Sequence, residues 1–112
     1  NPKIAAKHAE LNQLEAEREA LSREHTQQLE DELADYERLN RAVHRTQDSL
    51  LPLAKEKVEL SMASYRAGKG DLSSVVAARR ELIEARLKQI DVEEQRALTS
   101  ARLYFAYGES SQ

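Results

Sequence analysis

Three histidines and several clusters of carboxylates are the side chains that could bind a metal ion or transfer protons. His8, His25 and His44 are 17 and 19 residues apart, so no two of them lie on adjacent turns of a helix. Carboxylates cluster at residues 30–32 and 93–94. On a long helix, such a run usually forms a solvated face with pairs at i,i+4. The chain has no cysteine to complete a thiolate site, and we therefore expect no metal and no cofactor.

Lys69 lies in a Gly-Lys-Gly-Asp run that superficially resembles a phosphate-binding loop. The upstream glycine and the Lys-Ser/Thr pair of such a loop are missing, and no nucleophile elbow is present. General acid and base catalysis needs a water-poor pocket that separates the pKa values of its groups. A two-helix hairpin, the architecture derived below, offers no such pocket, so the sequence does not predict an enzyme.

The composition indicates how the chain folds. Of its 112 residues, 33% are charged, 40% are hydrophobic and only 4% are aromatic, with three Gly and two Pro. These values are typical of long helices and coiled coils rather than of a globular core or a β-fold. The net charge of -3 argues against a nucleic-acid partner. The apolar runs are far shorter than the roughly 20 residues that span a bilayer, so we expect an all-α chain without a membrane-spanning segment.

A first helix is predicted from about residue 3 to residue 66. Pro2 suits a first helical turn after Asn1, and neither Gly nor Pro follows until Pro52. The apolar stripe advances by about 3.6 residues per step, which favours nearly straight helices over a tightly supercoiled zipper. Its members are Leu11, Leu14, Leu21, Leu29, Leu33, Tyr36, Leu39, Val43, Leu50, Ala54, Val58, Met62 and Tyr65, with Arg18, His25 and Gln47 between them.

Pro52 is expected to kink this helix, because the apolar period resumes at once behind it. The competing interpretation is a break, in which residues 46–49 supply a turn and a new helix cap. The chain begins at Asn1, without a methionine or an apolar leader, so we interpret it as a piece of a longer protein.

A turn at residues 67–71 follows, with Gly68 placed to close the first helix and Asp71 or Ser73 placed to cap the next. The second helix is predicted over residues 72–107, and Gly108 begins a tail over residues 108–112. The apolar stripe of this second helix consists of Leu72, Val76, Ile83, Leu87, Ile90, Ala97, Ala101 and Tyr104. The predicted fold is a long antiparallel helical hairpin, coiled-coil-like, with arms of unequal length.

The unequal arms predict association. Folding the chain about Lys69 places Tyr107 near residue 31, which leaves residues 3–30 without a partner in the chain. That segment carries Leu11, Leu14, Leu21 and Leu29, which a lone surface helix would leave in water. We expect a dimer or a larger bundle for the chain alone.

The turn is the part of the hairpin most suited to binding, since it combines a small exposed surface with free backbone groups. The alternative is a plain hairpin turn. The stretch concerned is residues 65–75.

Four segments carry a resemblance to a known family. They are Leu51-Pro52-Leu53-Ala54, Tyr65-Arg66-Ala67-Gly68-Lys69-Gly70, Ala77-Ala78-Arg79-Arg80-Glu81-Leu82 and Ala101-Arg102-Leu103-Tyr104, the last before Gly108. Their order and spacing resemble the C-terminal repeat of TolC-type outer-membrane efflux factors. The resemblance implies a trimeric protein of the Gram-negative outer membrane whose helical barrel crosses the periplasm as an export duct, and this chain would be one hairpin of that barrel.

The resemblance also implies partners. In the family, the hairpin tips meet those of a periplasmic adaptor protein, which joins the channel to an inner-membrane pump. Carried over to this chain, the resemblance implies seven adaptor contacts, with apolar docking at Leu72. They are Tyr65, Arg66, Ala67, Gly68, Gly70, Leu72 and Ser73. Lys69-Gly70-Asp71 replaces more apolar residues of the family pattern. The tip and the following Ala77-Ala78-Arg79-Arg80-Glu81-Leu82 segment are most similar to those of members that serve heavy-metal resistance-nodulation-division pumps.

Two rivals have the same helical composition. The hairpin of an adaptor protein would continue into β-strands at both ends, but residues 1–2 and 108–111 show no strand pattern, and the unequal arms argue against it. A generic coiled-coil oligomerisation segment explains the composition but not the spacing of Pro52, the turn and Gly108.

Overall fold

The protein is a helical hairpin about 97 Å long and 23 by 14 Å across. The structure is a computed structural model and describes the backbone of residues 1–110 and the side chains of residues 1–108. Helix α1 spans Pro2–Arg45, α2 spans Leu51–Arg66 and α3 spans Leu72–Ser110, with a π-helical turn at Thr46–Leu50 between α1 and α2. No strand occurs in the described range, and the predicted all-α hairpin is confirmed.

The long arm of the hairpin, which consists of α1, the π turn and α2, begins with a side-chain cap. The Asn1 side chain accepts a hydrogen bond of 3.1 Å from the backbone N–H of Lys3, and Pro2 occupies the first helical turn. The cap gives an acceptor to a backbone N–H of the first turn that has none within the helix. Pro2 has no N–H and therefore needs no acceptor.

Around Pro52 the backbone stays helical and contains a π turn instead of a break. The N–H of Leu51 bonds the carbonyl of Thr46, five residues back. Leu50 keeps helical dihedral angles and has no side-chain cap, so residues 46–49 do not start a new helix. The wider turn lies where the Pro52 ring would otherwise press on the carbonyl four residues before it.

A buried seam joins the long arm to α3. Along α1 and into the π turn, the seam advances in steps of four and three, which is the 3.5-residue repeat of a coiled coil and not the expected 3.6. Its positions are His25, Leu29, Glu32, Tyr36, Leu39, Val43 and, in the π turn, Thr46; Asn40 and Ala42 beside them are also half-buried. On α3 the matching positions are Val75, Ala78, Leu82, Ala85, Gln89, Val92, Arg96, Thr99, Leu103 and Ala106, with Glu93 half-buried beside them.

Three polar contacts fix how the two arms align. Lys57 forms an ion pair with Glu81 at 3.3 Å. Further from the turn, Gln47 donates to Glu93 at 2.9 Å, and Arg96 donates to Asn40 at 2.9 Å. The residue numbers of each pair sum to nearly the same value, so the arms run antiparallel in one constant register.

The apolar stripe expected on the second helix is not the one that packs inside the hairpin. Its large members, which we name the outer stripe, are all exposed; they are Leu72, Val76, Ile83, Leu87, Ile90 and Tyr104. The buried positions of α3 lie about 100° or more around the helix from this stripe. Helix α3 therefore carries two apolar stripes, and the prediction chose the one that faces solvent.

The second helix ends later than residue 107, where it was expected to end. Helix α3 continues through Gly108 to Ser110, because Gly108 lacks the positive φ that would end the helix. Residues 111 and 112 of the expected tail lie outside the described residues.

At the other end of the chain, the first part of α1 is free of α3. Residues 1–24 are exposed throughout, and His25 and Leu29 are the first to lose exposure against α3.

Candidate functional site

The hairpin turn is closed by a Schellman motif at the end of α2. The N–H of Gly68 bonds the carbonyl of Tyr65 at 3.0 Å, and the N–H of Lys69 bonds the carbonyl of Ser64 at 2.9 Å. These are the two bonds that define the motif. Gly68 has φ of 75°, a left-handed conformation that strains any residue with a Cβ atom.

Gly70 is required for space and not for its dihedral angles. Its N–H also bonds the Ser64 carbonyl, at 3.2 Å. A Cβ atom at this position would lie 2.9 Å from the Ser64 hydroxyl oxygen and 3.3 Å from the Ser64 Cβ. The glycines therefore hold the turn in different ways, the first by conformation and the second by close packing on Ser64.

Asp71 caps α3 on the other side of the turn. One carboxylate oxygen accepts hydrogen bonds from the Ser74 N–H at 2.9 Å, the Ser74 hydroxyl at 2.8 Å and the Ser73 hydroxyl at 3.0 Å. The bond from the Ser74 hydroxyl, followed by those from the Ser74 N–H and Ser73, lowers the pKa of Asp71 below its usual value. The cap satisfies a donor at the start of α3 and fixes the direction in which that helix leaves the turn.

Replacing Asp71 by alanine is expected to lower the thermal unfolding midpoint at neutral pH. Because the pKa of Asp71 is lowered in the folded chain, the ionised carboxylate stabilises the fold above its ordinary pKa of about 3.9. This contribution is lost as the pH falls through the lower, folded pKa. Thermal denaturation from pH 7 to pH 2, followed by circular dichroism, measures the unfolding midpoints of wild type and variant. The difference between the two midpoints should become smaller below pH about 4. Lys69→Ala, in the same turn, should show no such narrowing; a difference independent of pH would contradict the assignment.

The turn brings the seven predicted contact residues to one end of the molecule. All seven are exposed: Tyr65, Arg66, Ala67, Gly68, Gly70, Leu72 and Ser73. Tyr65 and Leu72 are the large apolar members of this group, and they stand at the end of α2 and at the start of α3. We name this set of seven residues the tip surface.

Sequence reasoning missed Ser64, whose carbonyl accepts two backbone N–H groups and whose side chain packs under Gly70. The signal was present, because a glycine that ends a helix in a Schellman motif requires the carbonyl four residues earlier. Just behind the turn, Arg79 donates to the Met62 sulfur at 3.4 Å, a contact that ties α3 to α2.

The described residues include no group of three His, Asp or Glu side chains that could hold a metal ion. Shallow grooves follow the side of the hairpin, and one is lined by Leu50, Leu53, Lys57 and Glu84 among others. Within the described range, no helix has both the length and the apolarity needed to cross a membrane. At the tip surface, the exposed groups that a partner could contact include the apolar side chains of Tyr65 and Leu72.

Comparison with known proteins bears on nearly the whole chain. The family model described as Outer membrane efflux protein matches residues 1–109. Neither a curated protein nor a solved structure matches the chain.

Proposed function

Because this chain belongs to the outer membrane efflux protein family, we propose that it is one hairpin of a periplasmic helical barrel that conducts exported molecules from cell to exterior. The duct is a trimer of the parent protein, and the chain's role in it is passive conduction and docking. The family is one of transport channels, which agrees with a turn built for contact rather than for catalysis.

The observation that carries this proposal is the outer stripe of α3. Ile83, Leu87 and Ile90 are each more than half exposed, although the opposite face of the same helix is buried against the long arm. A helix with two apolar stripes needs a neighbour on each side. In a closed ring of parallel hairpins every helix has two neighbours, and the stripe is then buried between them.

The exposed first part of α1, residues 1–24, which we call the arm of α1, supports the same assembly. Residues 1–24 extend beyond the end of α3 and expose Ile4, Leu11, Leu14 and Leu21. In the duct, a helix from another part of the parent protein covers this arm. The family match favours this arrangement over the adaptor hairpin and over a generic coiled coil.

We assign docking of a periplasmic adaptor to the tip surface. Leu72 is the apolar group that enters the partner, and Gly68 and Gly70 allow the partner's backbone to approach closely. The adaptor joins the duct to an inner-membrane pump. The resemblance of residues 77–82 and of the turn to members that serve heavy-metal pumps makes a metal ion the first exported substrate to test.

Replacing Leu72 by glutamate in the intact protein is expected to abolish adaptor docking while leaving the hairpin folded. Leu72 is more than half exposed, so the charge costs the fold little, but it must be desolvated in an apolar contact. Site-specific cross-linking to the adaptor should fall at least roughly tenfold, as expected for the loss of a central apolar anchor. Resistance to the exported toxic compound or metal should fall with it.

A pair of glycine variants separates the shape of the turn from its chemistry. Gly68→Val and Gly108→Val both place a side chain in open space, since neither glycine has an atom within 4 Å of the added Cβ. Only Gly68 has the left-handed φ, so only Gly68→Val should reduce cross-linking and resistance. Unchanged cross-linking and resistance in both Leu72→Glu and Gly68→Val would refute the docking role.

A further inference from the structure

The seam of the long arm shifts by one residue at the π turn. Above the π turn, on the side away from the hairpin tip, the buried positions end with Val43 and Thr46. The same steps of four and three would continue below the turn on Leu50, Leu53, Lys57 and Leu60. The structure instead buries Leu51 and Ala54 and half-buries Val58 and Ser61, each one residue later.

The unused positions form a second apolar stripe along α2. Leu50, Leu53 and Leu60 are 43%, 54% and 63% exposed. The seam in use is built from smaller side chains, including Ala54 at 6% exposure and Ser61. Burying three leucines in place of these residues would remove more apolar surface from water. Lys57 would enter this alternative seam, where its stem can lie along apolar surface while its amine stays with Glu81, now 3.3 Å away.

The π turn determines which stripe faces α3. The bond from the Leu51 N–H to the Thr46 carbonyl adds one residue to the turn, and one residue corresponds to about 100° of helix rotation. Pro52 favours this state because it has no N–H to close an α-helical bond to Asp48 and its ring clashes with that carbonyl. Conversion of the turn to an α-helix would rotate α2 against α3 and bring the leucine stripe inward.

We propose that Thr46–Leu50 is a register switch that gives the tip half of the hairpin two packings on α3. In one, the turn is π-helical and Leu51 and Ala54 are buried. In the other, the turn is α-helical and Leu50, Leu53 and Leu60 are buried. The half of the hairpin above the turn keeps its seam in both states. The switch is a property of the hairpin itself and does not depend on the proposed duct.

Cysteine labelling can measure the switch, because the chain has no cysteine of its own. Ala54→Cys reports the seam below the turn and Thr99→Cys reports the seam above it; both parent residues are 6% exposed. The measured quantity is the labelling rate at residue 54 divided by the rate at residue 99, in the 112-residue chain with a soluble maleimide. Ordinary unfolding raises both rates together, whereas the switch exposes residue 54 alone.

Two backgrounds shift the switch in opposite directions. Pro52→Ala restores the N–H that an α-helical turn needs and should raise the rate ratio roughly tenfold, within the range expected for a minor state. Deleting Ser49 makes the step from Thr46 to Leu51 four residues, so an α-helical turn then retains the present seam. That deletion should lower the ratio roughly tenfold by removing the alternative state. A ratio that is equal in all three backgrounds, or rates at the two positions that always change together, would overturn the proposal.

Discussion

Replacing Leu39 by alanine is expected to lower the free energy of unfolding by about 2–5 kcal/mol, the usual cost of a large-to-small change in a packed core. Leu39 is only 3% exposed and lies on the seam next to Val43, the one side chain in the described part of the chain that is large and fully buried. A two-helix hairpin has a single thin layer of core, so the neighbours cannot fill the cavity from a second layer. Urea denaturation followed by circular dichroism measures the loss.

Leu21→Ala is the matched control for this experiment. It removes the same atoms from the same helix, but Leu21 is 64% exposed and lies in the segment 1–24, which is exposed throughout. At concentrations low enough for the chain to be monomeric, we expect a change within about 0.5 kcal/mol, as for most surface substitutions. Equal losses for the two variants would mean that the arm of α1 is buried by another copy under the conditions of the measurement, and dilution would then abolish the effect of Leu21→Ala.

The architecture was readable from the sequence because its signals are local. A long stretch without Gly or Pro, with strong helix formers throughout, permits few alternatives to a helix. Gly68 has the left-handed conformation that its place after the apolar stripe indicated. With one turn between two helices, the hairpin follows directly, and so does the inequality of its arms.

The packing face of α3 was not readable, for a physical reason. Hydrophobic periodicity identifies a stripe but not its partner, and α3 carries two stripes. The stripe with the larger side chains, including Ile83 and Leu87, faces solvent. The inner seam uses small residues such as Ala78 and Ala85, which allow the helices to approach closely but score weakly as hydrophobic. Only the contact with the long arm distinguishes the two.

The π turn was also beyond the sequence pattern. Pro52 marked the place, but a proline is compatible with a kink, a break or a π turn. Averaging the steps across the turn gave a period near 3.6, because one extra residue was spread over two segments that each repeat at 3.5. In the turn at the tip, the cap by Asp71 was among the possibilities named from sequence, whereas the contact of Gly70 with Ser64 depends on the fold of the turn.

Replacing Ile83 and Leu87 together by glutamate is expected to weaken self-association of the chain strongly without unfolding the hairpin. Both side chains are more than half exposed and belong to the outer stripe, so the hairpin loses little when they become charged. A neighbouring helix on that stripe would lose about 1.5–3 kcal/mol for each apolar side chain. The pair of substitutions should therefore weaken association at least roughly a hundredfold, since each 1.4 kcal/mol is a factor of ten.

Light scattering and sedimentation at several concentrations measure the association, and circular dichroism reports the helix content. Lys55→Glu provides the control, because it changes the net charge by the same amount as the double variant at an exposed position of α2 outside the outer stripe. The control should associate as the wild type does. If the wild-type chain keeps a monomer mass at every concentration, residues 1–24 and the outer stripe tolerate water and the expected bundle does not form. If the double variant associates as tightly as the control, the outer stripe is not where the hairpins meet, and the side-by-side packing of the duct must use another face.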